Sequence, residues 1–103
     1  MTDVGRRVAM IIKNKISTVN AILDEEHVNC LNGEVSYKSW RATNSRLLKQ
    51  YSMCVRSAIR AKESGDIVGE EAESLINLCK SERSLARQRA DVVRKIMDKK
   101  QQG

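Results

Sequence analysis

The 103-residue chain has no proline and no phenylalanine, and only one tryptophan and two tyrosines. Without proline, no position forces a helix to stop or kink. With so few aromatics, Val, Ile, Leu, Met and Ala must fill the core, a composition that favours helices. The apolar run "VAMII" at 8–12 is five residues long before Lys13 and Lys15 interrupt it. That is too short for a signal-peptide core or a membrane span. Cys30, Cys54 and Cys79 are odd in number and lie 24 or 25 residues apart, matching neither a disulfide framework nor a zinc-ligand spacing. They read as reduced, packed thiols, so a soluble cytoplasmic protein is expected. The sequence contains neither a glycine-rich phosphate loop nor a pair of carboxylates set for acid–base work. His27 is the only histidine; with Cys30 it makes half a metal site with no second pair to complete it, and it reads as an ordinary polar loop residue. No enzymatic activity, metal, cofactor or small-molecule substrate is therefore expected.

Acidic residues are absent from one long segment. Residues 37–62, "YKSWRATNSRLLKQYSMCVRSAIRAK", hold seven Lys or Arg and no Asp or Glu. Residues 1–34 carry a net charge of −1 and residues 63–103 a net charge of 0, so the surplus of +6 comes from the middle of the chain.

The apolar periodicity predicts three helices and a single helical domain over residues 1–103. Helix 1 spans about 3–31, capped by Thr2 or Asp3, with Val4, Val8, Ile11, Ile12, Val19, Ile22 and Leu23 at helical spacing. Asn32-Gly33 suits a type I′ hairpin turn. An isolated hairpin between long helices would have no sheet to join, so the preferred reading ends helix 1 at Asn32-Gly33 and caps helix 2 at Ser36. Helix 2 spans about 35–63 and stops at "ESGD", where Gly65 supplies a left-handed residue and Asp66 caps helix 3, about 66–100. In helix 3, Leu78, Leu85 and Val92 recur every seven residues beside Leu75, Cys79, Ala86, Val93, Ile96 and Met97, a wide apolar face. Glu82 and Arg89 interrupt that face as an edge or register-setting pair. A domain this short buries a modest fraction of its surface, so a partner subunit is expected.

A helical wheel at 100° per residue sorts the middle segment. Lys38, Arg41, Ser45, Lys49, Ser52, Arg56 and Arg60 fall within an arc of about 100°. Trp40, Thr43, Leu47, Tyr51, Cys54, Ala58 and Ala61 occupy the opposite side. From Lys38 to Arg60 the basic stripe is about 33 Å long, against a duplex that carries a charge every ~1.7 Å. Ordinary exposed helices mix signs, because like charges four apart repel. A stripe that forgoes such pairs points to an external anion. On helix 1, Arg6, Lys13, Ser17 and Asn20 share a face, so helices 1 and 2 together are expected to form a wider basic plate. Contacts along the side of a helix reach phosphates and sugars rather than base edges. Trp40 and Tyr51 turn inward, which disfavours single strands, and the serine hydroxyls suit the 2′-hydroxyls of RNA.

This arrangement, the pairing of helices 1 and 2 over about residues 10–62 with the basic stripe of "KSWRATNSRLLKQYSMCVRSAIR", resembles the small helical nodavirus proteins that suppress RNA silencing by coating double-stranded RNA. The resemblance implies a homodimer in which two helices per chain form an antiparallel four-helix bundle whose flat side lies along the duplex. The third helix departs from it: the family's is short, and this one is expected to reach nine turns. The expectation is an all-α homodimer that binds double-stranded RNA without sequence preference and shields it from processing. Two other readings remain. One is a helical adaptor or scaffold that meets an acidic protein through the stripe, or another protein through a coiled coil of helix 3. The other is a DNA-binding accessory factor.

Overall fold

The computed structural model describes the backbone of residues 1–102 and the side chains of residues 1–101. The Thr2 hydroxyl accepts the Gly5 N–H at 2.9 Å and opens α1, Asp3–Leu31. Ser36 does the same for α2, Tyr37–Glu63, accepting the Ser39 N–H at 3.1 Å. The third helix, α3, is Gly69–Gln102, with Glu70 and Glu71 in its first turn and Lys99 and Lys100 in its last. Those charges complement its dipole.

The two turns are built alike. Asn32 ends α1 and Ser64 ends α2, each followed by a glycine at φ 79°. In the first turn the Glu34 and Val35 N–H groups donate to the Asn29 carbonyl; in the second, the Asp66 and Ile67 N–H groups donate to that of Ala61. These are Schellman-type ends, in which a left-handed glycine lets orphan carbonyls find donors. The hairpin alternative at Asn32-Gly33 is thereby overturned: no strand occurs among the described residues. The expected cap at Asp66 is also corrected. α3 starts three residues later, and the Asp66 carboxylate instead accepts from the Thr2 and Ser64 hydroxyls at 2.9 and 2.8 Å, tying the start of α1 to the second turn.

The three helices pack side by side into a rod of 55 × 18 × 15 Å. α1 contributes Ile12, Ile16, Val19 and Leu23 to the main core, α2 contributes Leu47, Tyr51, Cys54, Val55 and Ala58, and α3 contributes Ala72, Leu75, Ile76, Cys79 and Ala86. Within one chain, α3 thus closes the core of the α1–α2 hairpin. A smaller cluster at the other end packs Trp40 against Cys30, Ala90 and Val93.

The wide apolar face of α3 divides in two. Leu75, Cys79, Ala86 and Val93 are buried, whereas Leu78, Leu85, Val92 and Ile96 remain 37%, 43%, 56% and 38% exposed. Packing on the α1–α2 hairpin covers the side of a helix that faces it, and these four lie beyond that arc. α1 divides in the same way, with Val4, Ile11 and Ile22 exposed beside the buried Ile12, Val19 and Leu23.

Two polar links cross the interior. The Tyr51 hydroxyl donates to Asn20 Oδ1, and Asn20 Nδ2 donates to Glu82 Oε2 at 3.1 Å, joining all three helices. Glu82 is therefore engaged with Asn20 and makes no ion pair with Arg89 among the described residues. Trp40 Nε1–H donates to His27 Nδ1 at 3.0 Å. His27 is a buried residue inside α1, correcting its reading as a loop residue. Its role is structural, because a buried indole N–H needs an acceptor.

Candidate nucleic-acid interface

α2 is amphipathic because its apolar residues recur at helical spacing, and packing that side against both neighbours turns the other side outward. Lys38, Arg41, Ser45, Lys49, Arg56 and Arg60 are exposed, and Ser52 is half-buried. The first turn of α2 contains no acid. Lys38 stands there against the helix dipole, an unfavourable position for a cation. Arg60 and Lys62 in the last turn complement the dipole, so the misplaced charge of α2 lies at its start.

The stripe runs beside α3 for much of its length. Arg83 Nη1 donates to Ser52 Oγ at 3.3 Å. Ser45, Leu48, Lys49 and Ser52 form one wall of a groove of about 200 Å³, and Arg87 and Arg94 of α3 form the other. At one end of the stripe the Arg41 guanidinium covers the Tyr37 ring, 4.8 Å from its centroid. Tyr37 stacks in turn on Trp40, with centroids 5.8 Å apart, and its hydroxyl donates to Asp98 of α3 at 3.0 Å. At the other end Arg56 and Arg60 border a hollow with Met53 and Ser57, and Arg60 reaches the edge of α1 beside Val8 and Ile11.

The residues expected on α1 do not join this surface. Lys13 lines a hollow with Glu70, Glu71, Ser74 and Leu78 of α3. Asn20 is held in the interior by Tyr51 and Glu82, so its amide is not free for a ligand. Arg6 pairs with Asp3 at 3.7 Å, and Ser17 is exposed. α3 separates this edge of α1 from the stripe of α2. Lys13 and Asn20 thus lie apart from the stripe, and α2 and α3 together form a cationic groove.

Arg83, Arg87 and Arg94 were not among the expected contact residues. The signal was present in their spacing, which places the three within about 40° of one another on a helical wheel. Counting charge over residues 63–103 conceals it, because the acids of the segment cancel the sum.

Few of these cations are neutralised. Among the described residues the ion pairs are Arg6–Asp3, Lys62–Glu73 and Arg94–Asp91. Lys38, Arg41, Lys49, Arg56, Arg60, Arg83 and Arg87 take part in none of them. No group of three or more His, Cys, Asp or Glu that could hold a metal ion occurs among the described residues, nor does any helix long and apolar enough to cross a membrane. Burial raises the thiols of Cys30 and Cys54 and pushes Cys79 up to about 11, disfavouring the reactive thiolate. Comparison with known protein families, curated proteins and solved structures finds no match to the chain.

Proposed function

We propose that the chain is a binding protein, not an enzyme, that lies along double-stranded RNA without reading its sequence and shields it from processing nucleases. The observation that supports this is the α2–α3 edge. On the α2 stripe and the adjoining wall of α3, seven Lys and Arg side chains lack carboxylate partners among the described residues, over a length of about 33 Å on α2. Such an edge matches a phosphate backbone, whose charges repeat along the duplex and whose counterions are released when cations replace them. Contact through helix sides favours phosphates and sugars over base edges. The exposed Ser45 and the half-buried Ser52 supply hydroxyls among the cations, suited to 2′-hydroxyls across an RNA minor groove. Trp40 and Tyr51 are buried, leaving no row of stacking platforms for a single strand. Action as a viral suppressor of RNA silencing, in the cytoplasm and as a homodimer, is the biological role that the resemblance to the nodavirus proteins adds.

A gel-shift titration of the full chain with duplex RNA, duplex DNA and single strands of equal length tests the reading. Duplex RNA of unrelated sequences should shift alike and at lower protein concentration than the others. An equal or stronger shift with DNA would favour the accessory-factor reading. No shift with any duplex at low salt would favour an acidic protein as the occupant of the edge.

A further inference from the structure

The exposed half of the α3 apolar face has a regular pattern of its own. Leu78, Glu82, Leu85, Arg89, Val92 and Ile96 follow one another at spacings of four and three, the repeat of a coiled-coil seam. The four apolar members are each more than a third exposed. They form a strip about 27 Å long. On a helical wheel the strip lies about 160° from Arg83, Arg87 and Arg94, so it is turned away from the basic groove.

Its two charged members determine what fits. A two-fold axis across the middle of the strip pairs residue 78 with 96, 82 with 92, and 85 with 89. Leu78 then faces Ile96 of a second copy, and the partner's Arg89 comes level with Leu85. That sets the backbone level of the partner's Arg89 about 4.5 Å along the axis from that of Glu82, nearer than the about 6 Å between the two Arg89 levels. The Glu82 carboxylate accepts from Asn20 through Oε2, which leaves Oε1 for the partner. Parallel pairing in register would instead set Glu82 beside Glu82 and Arg89 beside Arg89, both repulsive. The strip is self-complementary in the antiparallel orientation, as a closed two-fold interface requires.

We propose that two copies of the chain associate through this strip, with their α3 helices antiparallel. The seam differs from the one implied by the nodavirus resemblance, where helices 1 and 2 make the dimer. It leaves the α2–α3 groove of each copy open. Duplex binding is not a premise of the proposal, so loss of either leaves the other standing.

Light scattering on the full chain without nucleic acid should report a dimer at micromolar concentration. Leu85→Glu should convert it to a monomer with an unchanged helical circular-dichroism signal. Orientation is read from single variants Leu78→Cys and Ile96→Cys, mixed and oxidised, while the three native thiols stay buried. The unlike pair should cross-link. A monomeric wild type, a Leu85→Glu variant that remains dimeric, or cross-linking only of like with like would overturn the proposal. If Leu85→Glu unfolds, the cross-linking pattern still decides.

Discussion

Protonation of His27 removes the acceptor that holds the Trp40 indole, because both ring nitrogens of an imidazolium are donors. Burial is the main influence on this ring and lowers its pKa from 6.5, aided by Arg89 and opposed by the carboxylates of Asp24 and Glu26. The folded state therefore binds the proton less readily than the unfolded state. Stability is complete above the unfolded value of 6.5 and falls as the pH drops from there through the folded pKa. The urea midpoint should decline between pH 7.5 and 5.5, and His27→Gln, which keeps an acceptor but cannot titrate, should flatten that decline. An equal decline in both proteins would remove His27 from the explanation. Asn44 presents a different strain. It is 1% exposed, and neither atom of its amide has a hydrogen-bond partner among the described residues. An unpaired buried polar group costs about 1–3 kcal/mol. Leucine has the same branching without polar atoms, so Asn44→Leu should raise the free energy of unfolding by about that amount, read from denaturant curves. A loss of stability would show that the amide is satisfied after all. At this scale the inward residues of α2 were legible, since Trp40, Tyr51 and Cys54 follow from period alone. Asn20 was not. A wheel gives the direction of a side chain but not the neighbour it meets, and here the neighbours are Tyr51 and Glu82.

Helix ends were readable wherever a single residue type does the work. Ser36 caps α2, and Gly33 and Gly65 take the left-handed positions after α1 and α2. The start of α3 was less readable because Asp66 looks like a cap but bonds Thr2, 64 residues away in sequence. Long-range competition of this kind leaves no local trace. The same holds for the surface of α3. Its charges sum to zero over residues 63–103, yet Arg83 and Arg87 face the middle of α2, while Glu73 meets Lys62 near the end of α2 and Glu71 faces the edge shared with α1. The position of α3 makes a specific expectation about salt. Arg83→Ala and Arg87→Ala should each lower the slope of log affinity against log salt by roughly 0.9 per lost phosphate contact on a B-form duplex. Arg6→Ala and Lys13→Ala, on the far edge, should leave the slope unchanged. The opposite pattern would return the interface to helices 1 and 2.

The whole molecule distributes its surfaces by edge. Between α2 and α3 lies the cationic groove, between α1 and α2 a hollow where Val8 and Ile11 meet Ser57 and Arg60, and between α1 and α3 a hollow lined by Lys13, Glu70 and Glu71. This arrangement follows from α3 closing the core of its own hairpin, which the apolar periodicity of the sequence allowed but did not require. At this scale the proposal is that the α2 stripe and the α2–α3 groove together bind duplex RNA through its backbone. Its most direct test is the affinity of wild type and of the Arg56→Ala, Arg60→Ala double variant for three RNA duplexes of unrelated sequence, each measured at two salt concentrations. Wild-type affinities for the three duplexes should be equal and fall steeply with salt, and the variant should bind more weakly with a shallower salt response and its helical signal intact. Undiminished affinity in that variant, or wild-type affinity that depends on sequence and not on salt, would contradict the proposal.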